Sequence, residues 1–278
     1  EQLSFDTRTG KIWFNNEFVD WSNAKIHILS HGFHYASCVF EGLRVYDGQI
    51  FKLEEHTERF FHSANRLGFK MPYSMSEVNK ACNSIVSIQK VKNGYVRPVA
   101  WRGSEQMAIS AQKTKIHVAI ATWEWGPYLG EDALELGVHM MVSSFTRHHI
   151  NVSMTKAKIC GNYANSVLAK TLALRSGYDE AIMLDSQGYV AECSGENLFM
   201  VRDNLIYTPY RAAVLEGITR DSVITILEDM GHQVVQEPIT RDQLYIADEV
   251  FVCGTAAEVT PVRAIDFRNI GDGRRGQV

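Results

Sequence analysis

The chain has 278 residues, 45% hydrophobic and 22% charged, with a formal net charge of -4. That length suits two domains of ordinary size, and the mild acidity excludes an electrostatic case for nucleic acid or an anionic membrane as partner. No stretch approaches the ~20 apolar residues of a membrane span, and the opening Glu1-Gln2-Leu3-Ser4-Phe5-Asp6 has neither the basic nor the apolar region of a secretory signal. Five scattered cysteines (Cys38, Cys82, Cys160, Cys193, Cys253), odd in number and never spaced C-x-x-C, argue against a disulfide framework or zinc site and fit a reducing cytoplasm.

Trp13-Phe14, Asn15-Asn16 and Glu17-Phe18-Val19 predict a first hairpin. Leu43 to Tyr46, Asp47-Gly48 and Gln49 to Leu53 predict a second, because Asp-Gly supplies the positive φ angles of a type I′ turn. Glu55 to Leu67 reads as a helix with Phe60, Phe61, Ala64 and Leu67 on one face. Ser74-Met75-Ser76-Glu77 has capping-box spacing, and Val78, Ala81, Cys82, Ile85 and Ile88 follow at helical period. Apolar strands are expected over Tyr95 to Trp101 and Ile116 to Thr122. Trp123 to Gly130 breaks every periodicity and is the candidate linker.

Beyond it, Val138 to Ser144 predicts a strand and Asn162 to Arg175 a helix closed by Gly177. Short strands follow at Ala181 to Leu184, Tyr189 to Glu192, Leu198 to Val201 and Leu205 to Tyr207, with Asp203-Asn204 as a turn. Thr219 to Met230 predicts a helix burying Val223, Ile224, Leu227 and Met230, with Gly231 at its C-terminal cap. Glu249 to Cys253 is a last strand, leading into the small-residue turn Gly254-Thr255-Ala256-Ala257.

Four features in this order carry chemistry. Lys158 and its neighbour Lys156 lie in an irregular stretch before a helix, and an amine that attacks a carbonyl needs such a partly desolvated setting. Composition does not choose between the two lysines, and a lone lysine is more often a solvated charge. Glu192, with Glu196 as competitor, would keep a pyridine nitrogen protonated, or would simply be a strand-end carboxylate facing water. Gly217-Ile218-Thr219 opens a helix whose N–H groups attract an anion, unless Thr219 is an ordinary N-cap. Gly254-Thr255 is a second such turn or a plain one. Together these are the parts of a pyridoxal phosphate (PLP) site, and they point to an aminotransferase. Arg59 has acidic neighbours on its own helix for a local ion pair. Arg97, inside an apolar strand, demands an anion, either a structural carboxylate or a substrate.

The segments His31 to Gly42, Tyr95-Val96-Arg97-Pro98, Thr155 to Tyr163, Gly195-Glu196-Asn197-Leu198-Phe199, Gly217-Ile218-Thr219-Arg220-Asp221 and Ala247 to Glu258 together resemble the branched-chain amino acid aminotransferases, among the fold-type IV PLP enzymes. The resemblance runs from about Trp13 to the C-terminal end. It implies an α+β fold with a small N-terminal α/β domain (1–122), a linker (123–135) and a larger β-barrel-like domain with helices (136–278). It implies Lys158 as the Schiff-base lysine and Glu192 as partner of the ring nitrogen. Tyr163 would bond the ring hydroxyl, and Arg59, Ile218, Thr219 and Thr255 would hold the phosphate, with Asn197 and Gly217 also lining the cofactor. Tyr95, Thr255, Ala256 and Ala257 would take the substrate α-carboxylate. Phe40, Gly42, Trp125 and a Tyr35 from a second subunit would wall the apolar side-chain pocket, and Arg97 would bind the distal carboxylate of glutamate or 2-oxoglutarate.

A cytoplasmic homodimer or higher homo-oligomer is implied, without nucleic acid or membrane. The reaction implied is amino transfer from L-leucine, L-isoleucine or L-valine to 2-oxoglutarate. A D-amino acid or amine aminotransferase, or an aminodeoxychorismate lyase, is the alternative of the same fold, and a non-catalytic phosphate-ligand binder is the alternative outside catalysis. Three departures stand out. Met107-Ala108-Ile109-Ser110 replaces a Gly-Val turn, which places Ile109 at a substrate pocket, the loop Phe145 to Asn151 lacks prolines, and the chain stops at Gly276-Gln277-Val278, where a final helix is expected.

Overall fold

Three two-residue turns set the local geometry of the hairpins. Asn15 and Asn16, Asp47 and Gly48, and Asp203 and Asn204 all have positive φ, between 48° and 78°, the type I′ geometry whose twist matches the flanking strands. The computed structural model describes residues 4–130 and 132–278, and the chain divides into two compact units. One runs to Gly126 and takes in Ala157–Gly161; the other holds Pro127–Lys156 and Asn162–Val278.

The first unit begins with the hairpin β1 (Lys11–Phe14) and β2 (Glu17–Asp20), followed by the short helix α1 (His31–Tyr35). Then come β3 (Cys38–Phe40), the hairpin β4 (Leu43–Tyr46) and β5 (Gln49–Ile50), helices α2 (Leu53–Arg66) and α3 (Met75–Gln89), and the long strands β6 (Gly94–Arg102) and β7 (Ile116–Glu124). The sheet is ordered β2-β1-β7-β6-β4-β5, with β3 on the free stretch of β6. Its core joins Val39, Leu43, Val96 and Val118 to Phe60 and Ala64 of α2 and Val78, Cys82 and Ile85 of α3.

Several expectations shift here for physical reasons. Leu53 starts α2 instead of ending a strand, because Lys52 adopts a left-handed conformation that stops the hairpin. Ser74 and Glu77 form the expected capping box, but Ile88 is 44% exposed at the edge of the apolar stripe, while Val86 is buried. Trp123 and Glu124, expected in the linker, continue β7, paired to Tyr95 and Gly94.

The second unit contains α4 (Ala133–Leu136), β8 (Val138–Val142), α5 (Tyr163–Arg175), β9 (Glu180–Leu184), β10 (Val190–Cys193), β11 (Asn197–Arg202) and β12 (Leu205–Thr208). It continues with α6 (Ile218–Asp229), β13 (Val234–Gln236), α7 (Arg241–Tyr245), β14 (Glu249–Gly254), β15 (Glu258–Ile265) and β16 (Arg268–Asn269). The strand order is β10-β9-β8-β15-β14-β11-β12-β13, with β16 on β15. Helix α5 makes the crossover between parallel β8 and β9, and α6 that between parallel β12 and β13. The mixture of largely antiparallel sheets and helices is an α+β fold. Met230, expected on the buried stripe of α6, is 63% exposed because the helix ends at Asp229 and Met230 lies past its last turn. No helix among the described residues is long and apolar enough to cross a membrane.

Candidate active site

In the first unit, the segment Ala157–Gly161 lies along β3. Val39 pairs with Ile159 in an antiparallel bridge, and the Phe40 N–H donates to the Lys158 carbonyl at 3.1 Å. The Lys158 N–H donates to Ser63 Oγ of α2 at 2.9 Å. Ala157 and Ile159 are buried in the core beneath, and the Ile159 N–H donates to the Ala157 carbonyl at 2.9 Å, closing a tight turn with Lys158 at its apex. Its Nζ lies 4.8 Å from the centre of the Phe40 ring. Lys156 belongs to the second unit, where its Nζ donates to the carbonyls of Arg211 and Val214 and pairs with Glu216. The two lysines that composition left equal thus have different surroundings: Lys156 ties down the 211–216 loop, and Lys158 stands over an aromatic face.

Beside Phe40, strand β6 presents Tyr95 and Arg97 two residues apart, hence on one face. The Arg97 guanidinium sits 4.6 Å from the Phe40 ring centre and 5.2 Å from that of Tyr95, and it donates to the Tyr95 hydroxyl at 3.3 Å. The sequence demanded an anion for Arg97; the structure gives two aromatic rings, and its buried Nε has no hydrogen-bond partner. Such an orphaned donor is a site for an incoming acceptor. A Cβ at Gly42 would come within 1.6 Å of the Tyr95 hydroxyl, so only glycine leaves the phenol room. The Trp125 ring packs edge-on to Tyr95 at 4.9 Å.

Arg59 has its ion-pair partner on another element. The fully buried Glu41 accepts from Arg59 Nε at 2.6 Å and Nη2 at 2.9 Å, and pairs with His56 Nδ1 at 2.8 Å. Burial opposes the Glu41 charge, but Arg59 and His56 outweigh it and hold the carboxyl well below the usual carboxylate range. Burial lowers His56 from its ordinary value, with Arg59 and Lys158 adding to the effect against Glu41. Removing one member of a buried pair strands the other charge. Glu41→Ala is therefore expected to lower unfolding free energy by about 3 kcal/mol or more, read from urea denaturation midpoints. An unchanged midpoint would show that Arg59 needs no anchor.

In the second unit, Glu192 at the end of β10 is buried and accepts three groups. Arg147 Nη2 lies at 2.7 Å, the Leu215 N–H at 3.0 Å and Asn197 Nδ2 at 3.3 Å. Asn197 also donates to the Leu215 carbonyl at 3.2 Å, which ties the acid to the loop leading into α6. A Cβ at Gly217 would fall 2.0 Å from Asn197 Oδ1, so glycine is required there by close approach. Gly217, not Thr219, is the N-cap of α6, and it makes no side-chain cap. A helix starting without such a cap keeps backbone N–H groups available to an anion. Thr255, Ala256 and Ala257 form the turn between β14 and β15, with Thr260 Oγ1 donating to the Ala257 carbonyl at 2.8 Å.

Glu196, the competing acid, is of a different kind. Burial, reinforced by the charge of Glu180, pushes it up to about 8 from an ordinary 4.5. A folded-state pKa above the unfolded one means that stability falls as pH rises from 4.5 towards 8, the stabilising contribution being complete only below 4.5. Glutamine mimics the protonated form. Glu196→Gln should flatten the stability profile across that window and raise stability at its alkaline end. At about 1.4 kcal/mol per pH unit, even half of the displacement amounts to about 2 kcal/mol. Thermal melts at several pH values would reveal a parallel wild-type slope if Glu196 were ionised throughout.

Elsewhere, Tyr163 is the first residue of α5. Tyr35 ends α1, about half exposed, and Ile109 is 87% exposed on a loop whose Ala108 carbonyl accepts from the buried His31 at 2.6 Å. Residues that sequence reasoning missed are Glu41, His56 and Arg147, partners brought in by tertiary contact. Only the buried-charge rule applied to Arg59 and Glu192 could have called for them. The residues present fit PLP: a lysine over an aromatic face, a buried carboxylate clamped by Arg147 and Asn197, an uncapped helix N-terminus behind an obligatory glycine, and an arginine whose buried Nε has no hydrogen-bond partner.

The class IV aminotransferase family model matches residues 38–265. A branched-chain-amino-acid aminotransferase of Pseudomonas aeruginosa is 49% identical over 280 residues, covering 99% of this chain and 91% of that protein. The crystal structure of the Escherichia coli branched-chain amino acid aminotransferase superposes with a TM-score of 0.95 at 41% identity, covering 97% of this chain and 91% of that one. The branched-chain amino acid aminotransferase from Thermobaculum terrenum, in its PLP form, gives 0.89 at 31% identity, covering 96% and 89%. The chain belongs to the class IV aminotransferases.

Proposed function

We infer that the protein is a PLP-dependent branched-chain-amino-acid transaminase, moving the amino group of L-leucine, L-isoleucine or L-valine to 2-oxoglutarate and yielding the branched 2-oxo acid and L-glutamate. The observation that carries this is likeness to branched-chain aminotransferases over nearly the whole chain, with Lys158 and Glu192 each in a setting suited to its part. When bound, PLP supplies an electron sink for the substrate α-carbon. Lys158 would hold the cofactor, and its Nζ would take the α-proton of the substrate. Glu192 sets the protonation of the ring nitrogen, with Arg147 and Asn197 fixing its orientation. Tyr163 bonds the ring hydroxyl. Arg59, Ile218, Thr219 and Thr255 bind the phosphate, and Asn197 and Gly217 shape the cradle.

Tyr95 and the Thr255-Ala256-Ala257 turn take the α-carboxylate. Phe40, Gly42 and Trp125, with Tyr35 and Ile109 of a second copy, wall the side-chain pocket. The exposure of Tyr35 and Ile109 in the single chain supports a homodimer. Arg97 explains how one pocket serves two chemistries: the aromatic faces accept a branched alkyl group, and the unpartnered Nε–H donates to the distal carboxylate of glutamate. We further propose residues 1–122 and 136–278 as the small and large domains, joined through 123–135, and a cytoplasmic location.

The test is the visible spectrum of the protein with PLP, before and after L-leucine. A yellow colour that bleaches with L-leucine and returns with 2-oxoglutarate is expected. A colour indifferent to L-leucine but bleached by a D-amino acid or simple amine would keep the cofactor and remove the substrate assignment.

A further inference from the structure

We propose that Cys38 and Cys160 form a dithiol site that a small hydroperoxide oxidises to an intramolecular disulfide, restraining the segment that carries Lys158. The antiparallel bridge between Val39 and Ile159 sets the register, which places Cys38 directly opposite Cys160. Their sulfurs are 3.1 Å apart. A disulfide bond is about 2.05 Å long, so closure needs a sulfur displacement of about 1 Å. Both thiols are partly exposed, whereas Cys82, Cys193 and Cys253 are buried.

The two sulfurs are chemically unequal. The hydrogen bond between the two sulfurs lowers Cys160 from the ordinary thiol range, and the Arg97 and Lys158 cations add to this against its burial. The same hydrogen bond, with burial, raises Cys38. The thiolate is the nucleophile in thiol chemistry. Cys160 therefore attacks the peroxide, its sulfur taking one oxygen to become a sulfenic acid while the O–O bond breaks and the alcohol, or water, departs with a proton. Cys38 then attacks that sulfur, the S–O bond breaks, and water leaves with the Cys38 proton. The two thiols lose two electrons, which reduce the peroxide, so no further oxidant is needed.

The product would lock Cys160 to β3 two residues from Lys158, and would consume the thiol that lies near the Arg97 and Lys158 cations. The experiment treats the holoenzyme with hydrogen peroxide, alkylates remaining thiols under unfolding conditions, and maps peptides by mass without reduction. A linked Cys38–Cys160 peptide, lighter by two hydrogens and reversed by dithiothreitol, is expected to form roughly tenfold faster than any change at the three buried cysteines. Leucine transamination should fall with the link and recover on reduction. In Cys38→Ser the sulfenic acid at Cys160 should persist and be trapped by dimedone. Alkylation of both residues after peroxide, or Cys160 passing to sulfinic acid beside an intact Cys38 thiol, would overturn the site. Linkage without change in transamination would overturn the restraint on Lys158. Wild-type mapping decides the first question even if the variant fails to fold, and it does so independently of the transaminase reading.

Discussion

Replacing Lys158 by alanine is expected to reduce leucine transamination by about ten-thousand-fold or more, since the general-base and covalent roles proposed for it are lost together. Two observations make the effect specific to this lysine. Ala157 and Ile159 anchor the segment in the core, and the backbone bonds to Phe40 and Ser63 hold it whatever the side chain is. The truncation should therefore leave the fold intact, with unchanged far-ultraviolet circular dichroism, while borohydride no longer fixes PLP to the chain. Lys156→Ala is the matched control: its amine is occupied with the 211–216 loop. Borohydride labelling should survive there at Lys158. Labelling lost in Lys156→Ala but kept in Lys158→Ala would reverse the assignment.

Glu192→Gln is the second large effect, expected at about a thousand-fold in kcat. Glutamine keeps the size and most of the bonding to Asn197 and Leu215 but abolishes the charge proposed to face the ring nitrogen, and it leaves Arg147 without its ion-pair partner 2.7 Å away. PLP attachment at Lys158 should persist, so the loss belongs to the proton-transfer steps. Stopped-flow bleaching with L-leucine separates the two: a normal yellow colour that fades slowly is the expected signature. Glu196→Gln should bleach within a few-fold of the wild-type rate, because that acid already holds its proton towards pH 8. Equal slowing in both variants would mean that neither carboxylate is uniquely matched to the ring.

Much of the local structure was legible in the sequence. Asp47-Gly48 and Asn15-Asn16 dictate their turns through backbone φ, and Ser74 with Glu77 caps α3, because both effects act within a few residues. The order of lysine, acid and small-residue turns identified the cofactor, and the resemblance named the reaction; likeness over nearly the whole chain bears out both. Tertiary structure decided which of two similar residues stands in which environment. Lys156 and Lys158 share a local sequence, yet different long-range partners separate them. Glu192 and Glu196 differ in the charge brought to them, Arg147 for one and Glu180 for the other. The anchoring of Arg59 by Glu41, the phenol of Tyr95 lodged over Gly42 and the opposed thiols of Cys38 and Cys160 likewise depend on packing between distant segments. Desolvation and Coulomb interactions are set by distance in space, and local sequence does not encode that distance.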